Sequence, residues 1–158
     1  MSDAAHPPPA LAALELVSPA TESERASYFD LRWRLLRQPW NQPRGSEKDD
    51  SDAASYHLML RAPDHGPALA VGRLHVNSPR EAQVRYMAVD PAWQNKGLGG
   101  RILAGLEARA RALGCAEIVL NARDNAIAFY IRHGYAVERE ADTLFGSVRH
   151  VRMRKGLS

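Results

Sequence analysis

The sequence has one cysteine, Cys115, among 158 residues, and it has no long hydrophobic run. A single cysteine excludes an internal disulfide and suits a reducing compartment. No segment approaches the ~18 consecutive apolar residues that a membrane-spanning helix requires. The start of the chain, where His6 precedes three prolines, lacks the basic and apolar regions of a signal peptide. We therefore expect a cytoplasmic protein without membrane association.

The chain also lacks a strong excess of either charge. Its 21 lysines and arginines exceed its 18 aspartates and glutamates by three. Such a mild excess is not a nucleic-acid signature, but it is compatible with a ligand that carries several phosphate charges. The length and the 45% hydrophobic content are ordinary for one globular domain. We expect a flexible tail over residues 1–13, one domain over residues 14–158, no nucleic-acid partner and no metal.

Hydrophobic periodicity predicts strands first, followed by strand, helix, strand, helix and strand. The predicted strands cover residues 14–17, 56–61, 68–77, 82–89, 118–122, 135–140 and 148–154. The predicted helices run from Thr21 or Ser23 to about Arg37, over residues 98–113 and over residues 125–133. The apolar faces of the first two helices are predicted at Phe29, Trp33 and Leu36, and at Ile102, Leu106, Ala110 and Leu113. This order predicts a mixed α/β (α+β) fold with helices on both faces of the sheet.

A glycine-rich turn joins a predicted strand to a predicted helix; it reads Gln94-Asn95-Lys96-Gly97-Leu98-Gly99-Gly100. Glycines let the backbone approach a ligand, and the first N–H groups of a helix have no intrahelical partner, so they bind anions. The turn lacks the Gly-Lys-Ser/Thr end of a nucleotide P-loop. It also lacks the third glycine of the dinucleotide G-x-G-x-x-G motif, because residue 102 is isoleucine. The spacing is Q-x-x-G-x-G.

A second segment, Asn121-Ala122-Arg123-Asp124-Asn125-Ala126-Ile127-Ala128-Phe129-Tyr130, precedes a Gly134-Tyr135 pair. The Q-x-x-G-x-G turn and this segment, in this order, resemble the GCN5-related N-acetyltransferase (GNAT) superfamily. The resemblance covers about residues 15–155 and implies a mostly antiparallel sheet with a splayed central strand pair. Residues 31–47 and 149–153 are similar to the acetyltransferase half of bacterial proteins that also have a hot-dog, thioesterase-like domain. We expect no such second domain on this chain.

The resemblance implies a bacterial N-acetyltransferase that moves an acetyl group from acetyl-CoA to a primary amine by direct attack in a ternary complex. The acceptor would be a small molecule or a protein, and the enzyme a monomer or homodimer. The residues implied to bind acetyl-CoA are Met87, Ala88, Val89, Gln94, Asn95, Lys96, Gly97, Leu98, Gly99, Gly100, Asn121, Asn125, Ala128 and Tyr130. Asn125 would bond the pantetheine arm or cap a helix. Candidates for the 3′-phosphate of CoA are Arg101, Arg123 and Arg132.

Tyr130 is the candidate general acid, because it follows Ala126 by one helical turn and carries a proton at neutral pH. Its alternative role is that of a packed aromatic side chain. The general base is less defined, because Gln83 stands roughly where many relatives have a carboxylate. The remaining candidates are His57, His75, His150, Glu47 and Asp52, and a water relayed by backbone carbonyls is another option. The narrower resemblance favours His150 or Glu47.

The sequence leaves the charge of the acceptor open. An acidic run of Glu47, Asp49, Asp50 and Asp52 would attract a cationic amine or simply form a solvated loop. Arg73 and Arg85 would instead bind an acidic acceptor, and Trp40 would line the pocket or pack. Two other functions stay open: a non-catalytic CoA-binding sensor or partner module, with which Gln83 agrees, and a nucleotide-binding regulatory protein.

Overall fold

The computed structural model describes residues 10–158 of the chain. Its strands are β1 (Glu15–Val17), β2 (Tyr56–Arg61), β3 (Ala68–Ser78), β4 (Glu81–Val89), β5 (Glu117–Arg123), β6 (Ala136–Glu140) and β7 (His150–Gly156). Its α-helices are α1 (Glu22–Leu36), α2 (Leu98–Ala112) and α3 (Ile127–Arg132). Most of the tail predicted over residues 1–13 lies outside the described residues. Its last part, Leu11–Ala13, forms a 3-10 turn that Arg101 of α2 holds through backbone carbonyls.

The seven described strands form one sheet in the order β1-β2-β3-β4-β5-β7-β6. Every neighbouring pair is antiparallel except β4 and β5, which run parallel. Strand β7 lies between β5 and β6, so the last two strands form an antiparallel pair at one edge. The predicted fold class, a mixed and mostly antiparallel sheet with helices on both faces, is confirmed.

The central parallel pair is joined over only about half of its length. Residues 81–84 of β4 pair with residues 117–120 of β5, and the described pairing stops there. Both strands continue, β4 to Val89 and β5 to Arg123, so their carboxyl ends leave a gap in the sheet. The splayed strand pair that the resemblance implied is present.

The core lies on both faces of this sheet. On one side, α1 packs on a small apolar cluster in which Tyr28, Leu31 and Met59 are fully buried. On the other side, α2 and α3 cover a larger cluster that includes Ile102 and Leu106. We call these two sides the α1 face and the α2 face. Because side chains alternate along a strand, neighbouring residues of β4, β5 and β7 point to different faces.

Thr21, one of the two residues at which the helix was predicted to begin, is the N-cap of α1. The Thr21 hydroxyl accepts from the N–H of Glu24 at 3.0 Å, and the Glu24 carboxylate accepts from the N–H of Thr21 at 3.0 Å. This reciprocal pair satisfies two of the N–H groups that a helix start leaves unpaired. The capping box therefore fixes where α1 begins.

The face that α1 buries differs from the predicted one. Phe29, Trp33 and Leu36 are only partly buried, and the buried residues of the helix are Tyr28, Leu31 and Arg32. Arg32 lies inside because its Nη1 bonds Asp52 at 3.0 Å and its guanidinium lies 3.8 Å from the ring centre of Tyr86. Hydrophobic periodicity assigns arginine to the solvent-exposed face of a helix. The predicted buried face was therefore rotated about the helix axis relative to the observed one.

Helix α2 buries Ile102, Leu106 and Ala110 as predicted. Leu113 was predicted on the same buried face but is 38% exposed, because the helix ends at Ala112. Gly114, with φ of +82°, then turns the chain toward β5. The helix is thereby fixed across β2 to β5 with its first turn beside the end of β4.

Candidate active site

The glycine-rich turn between β4 and α2 leaves the start of α2 open. Gly97 precedes the helix with φ of +83°, a conformation that favours glycine, and no described side chain caps the helix. The first backbone N–H group of α2 with an intrahelical hydrogen bond is that of Arg101, which donates to the Gly97 carbonyl at 3.2 Å. The N–H groups of residues 98–100 therefore remain for an anion, and the exposed Lys96 adds a positive charge beside them.

Only part of this turn faces open space. A Cβ atom added at Gly97 would meet no described atom within 4 Å, whereas one at Gly99 would lie 3.1 Å from Cζ of Phe129. One at Gly100 would lie 2.9 Å from Nε2 of His133. Gly99 and Gly100 thus let α3 pack closely against the start of α2, and the room for a ligand lies at Gly97.

Strand β4 contains a β-bulge at the point where it leaves β5. Its register with β3 shifts there, so that Tyr86 and Met87 together oppose Gly72. Tyr86 has φ of +59°, which is uncommon for a bulky residue and marks a strained backbone. A bulge leaves backbone groups outside the hydrogen-bond ladder. This one lies beside the gap, at the predicted contacts Met87, Ala88 and Val89.

Tyr130 is buried on the α2 face, with 6% of its surface exposed, where α3 packs against β5. Its ring meets those of Phe129 and Tyr135 edge-on, with centroids 5.0 and 5.7 Å away. The hydroxyl has no hydrogen-bond partner within residues 10–158, and burial raises its pKa above the ordinary value. The side chain keeps its proton at neutral pH, and that proton is free to be donated.

The other residues of the β5–α3 segment implied to contact acetyl-CoA are Asn121, Asn125 and Ala128, and all three are exposed. Asn125 lies in the 3-10 turn Asp124–Ala126. The N-cap of α3 is Ala126, so Asn125 does not cap this helix; it lies in the 3-10 turn that leads directly into the helix. Its amide is available to a ligand.

His150 begins β7 on the α1 face, directly opposite Arg123 of β5. It is 8% exposed, and its Nδ1 lies 2.9 Å from the carbonyl oxygen of Val148. Because a carbonyl only accepts, we assign the proton to Nδ1 and a free lone pair to Nε2. Burial, helped by the charges of Arg123 and Arg85, lowers the pKa of His150 below its ordinary 6.5. The ring is neutral at pH 7 and able to accept a proton.

The other histidine candidates are engaged. His57 uses both ring nitrogens, one on the Tyr28 hydroxyl at 2.7 Å and one on the Asp52 carbonyl at 2.8 Å. Nδ1 of His75 lies 3.2 Å from Nη2 of Arg73. Neither imidazole has a free ring lone pair such as that on Nε2 of His150.

Glu47 is the second favoured base, and it is buried in the loop between α1 and β2. Its Oε1 accepts from the N–H of Gly45 at 2.7 Å, and no described cation lies within 4.0 Å of its carboxylate. Gln83, by contrast, accepts from the Asn77 amide at 3.0 Å and has no basic group. The α1 face therefore offers one carboxylate and one imidazole as possible bases.

Two carboxylates of the acidic run, those of Asp49 and Asp52, are paired with arginines inside the protein. Oδ1 of Asp49 lies 2.6 Å from Arg73, and its Oδ2 lies 3.1 Å from Arg85. Asp52 bridges Arg32 and Arg73 at 3.0 Å from each. Burial raises the pKa of Asp49, but the bonds and charges of Arg73 and Arg85 outweigh it and lower this pKa to about 2. Asp49 and Asp52 have little charge left for a cationic amine.

Two of the three arginines considered for the 3′-phosphate of CoA are placed for other roles. Arg101 binds the backbone at the start of the described chain. Arg123 lies on the α1 face, where its Nη2 donates to the carbonyl of Leu36, the last residue of α1, at 3.2 Å. Arg132 is exposed at the end of α3 and is the one that stays on the side of the glycine turn.

Sequence reasoning missed a cluster of arginine and aromatic side chains on the α1 face. The Arg37 guanidinium lies 5.5 Å from the ring centre of Tyr86 and 5.3 Å from that of Phe145. The Arg123 guanidinium lies 4.3 Å from the ring centre of Trp40, which stacks on Phe145 at 6.4 Å. We call these five residues the arginine pocket. They come from distant parts of the chain, so no local pattern connects them.

Within residues 10–158, no group of three or more His, Cys, Asp or Glu side chains is positioned to hold a metal ion. In the same part of the chain, no helix has both the length and the apolar character needed to cross a bilayer. Cys115 is buried and unpaired among the described residues.

An open helix start beside a splayed parallel strand pair agrees with a match found by sequence comparison. The sequence profile of the Acetyltransferase (GNAT) family aligns with residues 25–135 of this chain. The chain belongs to this family. The superfamily that the glycine turn and the second segment indicated is thus confirmed, and the protein is a GNAT acetyltransferase by family.

Relatives of this GNAT protein match nearly its whole length. The uncharacterized N-acetyltransferase YjcF of Bacillus subtilis is 26% identical over 142 residues, 90% of this chain and 99% of that protein. An acyl-CoA N-acyltransferase from Pseudomonas aeruginosa has a TM-score of 0.74 at 23% identity, over 90% of this chain and 99% of that one. A GNAT family acetyltransferase from Elizabethkingia anophelis with acetyl-CoA bound has a TM-score of 0.75 at 12% identity, over 92% and 99%. At these identities the structural likeness shows the fold alone.

Proposed function

We propose that this GNAT protein transfers an acetyl group from acetyl-CoA to the primary amine of a small molecule or protein, by direct attack in a ternary complex. One observation carries the proposal: the uncapped start of α2 follows the open turn at Gly97 and lies beside the gap between β4 and β5. A phosphorylated ligand on this turn would extend its arm into the gap. The acetyl-CoA bound to the Elizabethkingia anophelis relative supports the choice of cosubstrate.

The residues fit such a cosubstrate in two places. The N–H groups of residues 98–100, with Lys96, would hold the pyrophosphate. The backbone of residues 87–89 would pair with the peptide-like pantetheine arm, as an extended ligand pairs with a strand edge. Gln94 supports that edge, because its Nε2 donates to the carbonyl of Val89 at 3.3 Å. Acetyl-CoA would supply the acetyl group as a thioester.

Two side chains would move the protons of the reaction. On the α1 face, Nε2 of His150 would take a proton from the attacking amine as the new C–N bond forms. On the α2 face, the Tyr130 hydroxyl would give a proton to the departing thiolate as the C–S bond breaks. A backbone N–H at the bulge, that of Met87 or Ala88, would face the thioester oxygen. The gap between β4 and β5 would connect the two proton transfers.

Calorimetric titration of the purified protein with acetyl-CoA tests the cosubstrate directly, with ATP and NAD as parallel controls. We expect saturable, micromolar binding of acetyl-CoA and no binding of either nucleotide. Binding of ATP or NAD in its place would contradict the proposal and favour a nucleotide-binding regulator. If acetyl-CoA, ATP and NAD all fail to bind, the protein has the GNAT fold but does not bind acetyl-CoA.

A second function is favoured by one observation, the amide of Gln83 where many relatives have a carboxylate. The protein would then be a non-catalytic CoA-binding sensor, or the partner module of a thioesterase-like protein, as the similarity to the two-domain proteins implies. Acetyl-CoA binding without release of free CoA across a broad panel of amines would support this alternative. Release of CoA that depends on an amine would exclude it.

The open turn can be tested by replacing Gly97 with alanine. Gly97 and Gly114 flank α2 with φ of +83° and +82°, and a Cβ atom at either would meet no described atom within 4 Å. Both Gly97→Ala and Gly114→Ala should therefore lose about 1 kcal/mol of stability to backbone strain. Only Gly97→Ala should also weaken acetyl-CoA binding, by about tenfold, because it disturbs the N–H groups that hold the phosphate. Equal affinities of the two variants, measured calorimetrically, would remove the turn from the binding site.

A further inference from the structure

Two arginines beside the proposed active site lack an acidic partner. Arg37 is buried, and Arg123 is partly buried, yet neither has a carboxylate within 4.0 Å among the described residues. The buried arginines next to them differ in this respect, because Arg32 and Arg73 share Asp52. A partly desolvated guanidinium without a counter-charge is costly unless a ligand supplies that charge.

The two guanidinium groups also keep most of their donors. Each has five N–H donors. Arg37 uses Nε on the Ser46 carbonyl at 2.9 Å and Nη1 on the Leu36 carbonyl at 2.9 Å. Arg123 uses only Nη2, on the same Leu36 carbonyl at 3.2 Å. The shared carbonyl brings the two groups together at the end of α1, with several N–H groups left over.

The surroundings carry an excess of positive charge. Five arginines line this part of the α1 face, namely Arg32, Arg37, Arg73, Arg85 and Arg123, against the carboxylates of Glu47, Asp49 and Asp52. Asp49 and Asp52 bind Arg32, Arg73 and Arg85, and neither binds Arg37 or Arg123. Asp124, at the end of β5, lies 3.8 Å from Arg149. Burial and the charge of Arg37 lower the pKa of Arg123 to about 10, which still leaves it charged at neutral pH.

The position of this charge relates it to the amine that would react. Arg123 is the cross-strand partner of His150, the proposed base, so their Cα atoms are about 5 Å apart. The stacked rings of Trp40 and Phe145 lie against the two guanidinium groups, Trp40 against Arg123 and Phe145 against Arg37. An amine at His150 and an anion at Arg123 therefore lie within the span of one small molecule.

We propose that the acceptor carries an anionic group, a carboxylate or phosphate, close to its amine, and that Arg37 and Arg123 bind this group in the arginine pocket. This inference rests on the proposed acetyl transfer and names the substrate class of the same site. Planar guanidinium forks bind both carboxylates and phosphates through paired hydrogen bonds. Amino acids and small phosphorylated amines are the acceptors with this chemistry.

Acceptor pairs that differ in the anionic group test the inference. We would compare phenylalanine with phenethylamine, lysine with cadaverine, and phosphoethanolamine with ethanolamine, following release of free CoA with a thiol reagent. The anionic member of at least one pair should have a kcat/KM at least ~10-fold higher, since it replaces a missing counter-charge. The first two pairs report on a carboxylate and the third on a phosphate. Equal or better use of the partners that lack the anionic group would overturn the inference.

Variants then assign the preference to the pocket. Arg123→Gln and Arg37→Gln should raise the KM for the anionic acceptor about tenfold or more and leave the KM for acetyl-CoA unchanged. Arg123→Lys keeps the positive charge without the paired N–H donors of a guanidinium. It should therefore retain part of the preference for the anionic acceptor that Arg123→Gln loses. Arg80→Gln, an exposed arginine in the turn before β4, removes the same charge at the far end of the sheet and should change neither KM. A lower melting temperature of Arg123→Gln with an unchanged preference would show that Arg123 only holds α1.

The outcomes separate this inference from the function on which it rests. If the wild-type protein does not bind acetyl-CoA, that result would count against acetyl transfer itself. Transfer only to amines without an anionic group would leave acetyl transfer intact and refute the arginine pocket. If no amine of the panel reacts, the CoA complex would be titrated with N-acetylphenylalanine and with its amide, and binding followed by tryptophan fluorescence. Saturable binding of the acid alone would support the arginine pocket. Binding of neither compound would refute it.

Discussion

Replacing Tyr130 with phenylalanine is expected to lower kcat about 10-fold to 100-fold and to leave the KM for acetyl-CoA nearly unchanged. The change removes only the hydroxyl, which no described residue bonds, and the ring stays packed between those of Phe129 and Tyr135. Stability should therefore change little. The loss falls on kcat because the proton is needed only as the thiolate departs. The effect stays moderate because a thiolate is already a fair leaving group.

Tyr56→Phe is the matched control, because it removes a phenol hydroxyl from β2, away from the gap. Release of free CoA under saturating amine and acetyl-CoA gives kcat for the wild type and both variants. Burial raises the pKa of Tyr130, so the wild-type kcat should show no loss from its deprotonation up to pH ~10. Wild-type turnover of Tyr130→Phe would leave this residue as a packed aromatic side chain.

The parts of the fold that the sequence predicts are those specified by neighbouring residues. Alternating apolar residues predict β2 at its observed bounds and β3 and β4 within one residue of theirs. The glycine turn follows from residues 94–100 alone, because a helix start after a positive-φ glycine is a local property. The splayed strands came from the family resemblance, since no residue of β4 or β5 signals where their pairing stops.

The parts that could not be predicted depend on residues far apart in the chain. Arg32 points inward because its partner, Asp52, lies 20 residues away and Tyr86 lies farther still. The positive φ of Tyr86 is set by the bulge between β3 and β4, which an alternating strand pattern does not reveal. Once these contacts form, they also decide the charge of the site. Asp49 and Asp52 of the acidic run form internal ion pairs, whereas Arg37 and Arg123 have no carboxylate partner among the described residues.

The same dependence on distant residues applies to the base. From the sequence, the narrower resemblance favoured both His150 and Glu47, and it did not exclude His57, His75 or Asp52. Only the fold shows that His57 bridges Tyr28 and Asp52, whereas Nε2 of His150 is free and lies opposite Arg123. Arg123 helps to lower the pKa of His150, so it would serve twice, by holding the acceptor anion and by keeping the imidazole neutral.

Replacing His150 with asparagine should lower kcat/KM about 100-fold at pH 7.5 if its Nε2 is the proton acceptor. Asparagine can still donate to the Val148 carbonyl, as Nδ1 does, but it has no group in place of Nε2. His65→Asn is the matched control. His65 is exposed in the turn between β2 and β3 with φ of +60°, which asparagine tolerates, so its kcat/KM should equal that of the wild type.

The pH dependence of the ratio between wild type and His150→Asn isolates this side chain, because ionisation of the acceptor amine cancels. The base acts only when deprotonated, so the ratio should be largest above the pKa of His150 and fall toward one below it. Burial and the charges of Arg123 and Arg85 place that pKa below 6.5, so the fall should come on the acid side of pH 6.5. A ratio near one at every pH, together with a loss of activity in Glu47→Gln, would instead assign the base to Glu47. Its buried carboxylate accepts one hydrogen bond, from the N–H of Gly45, and has no cationic partner among the described residues.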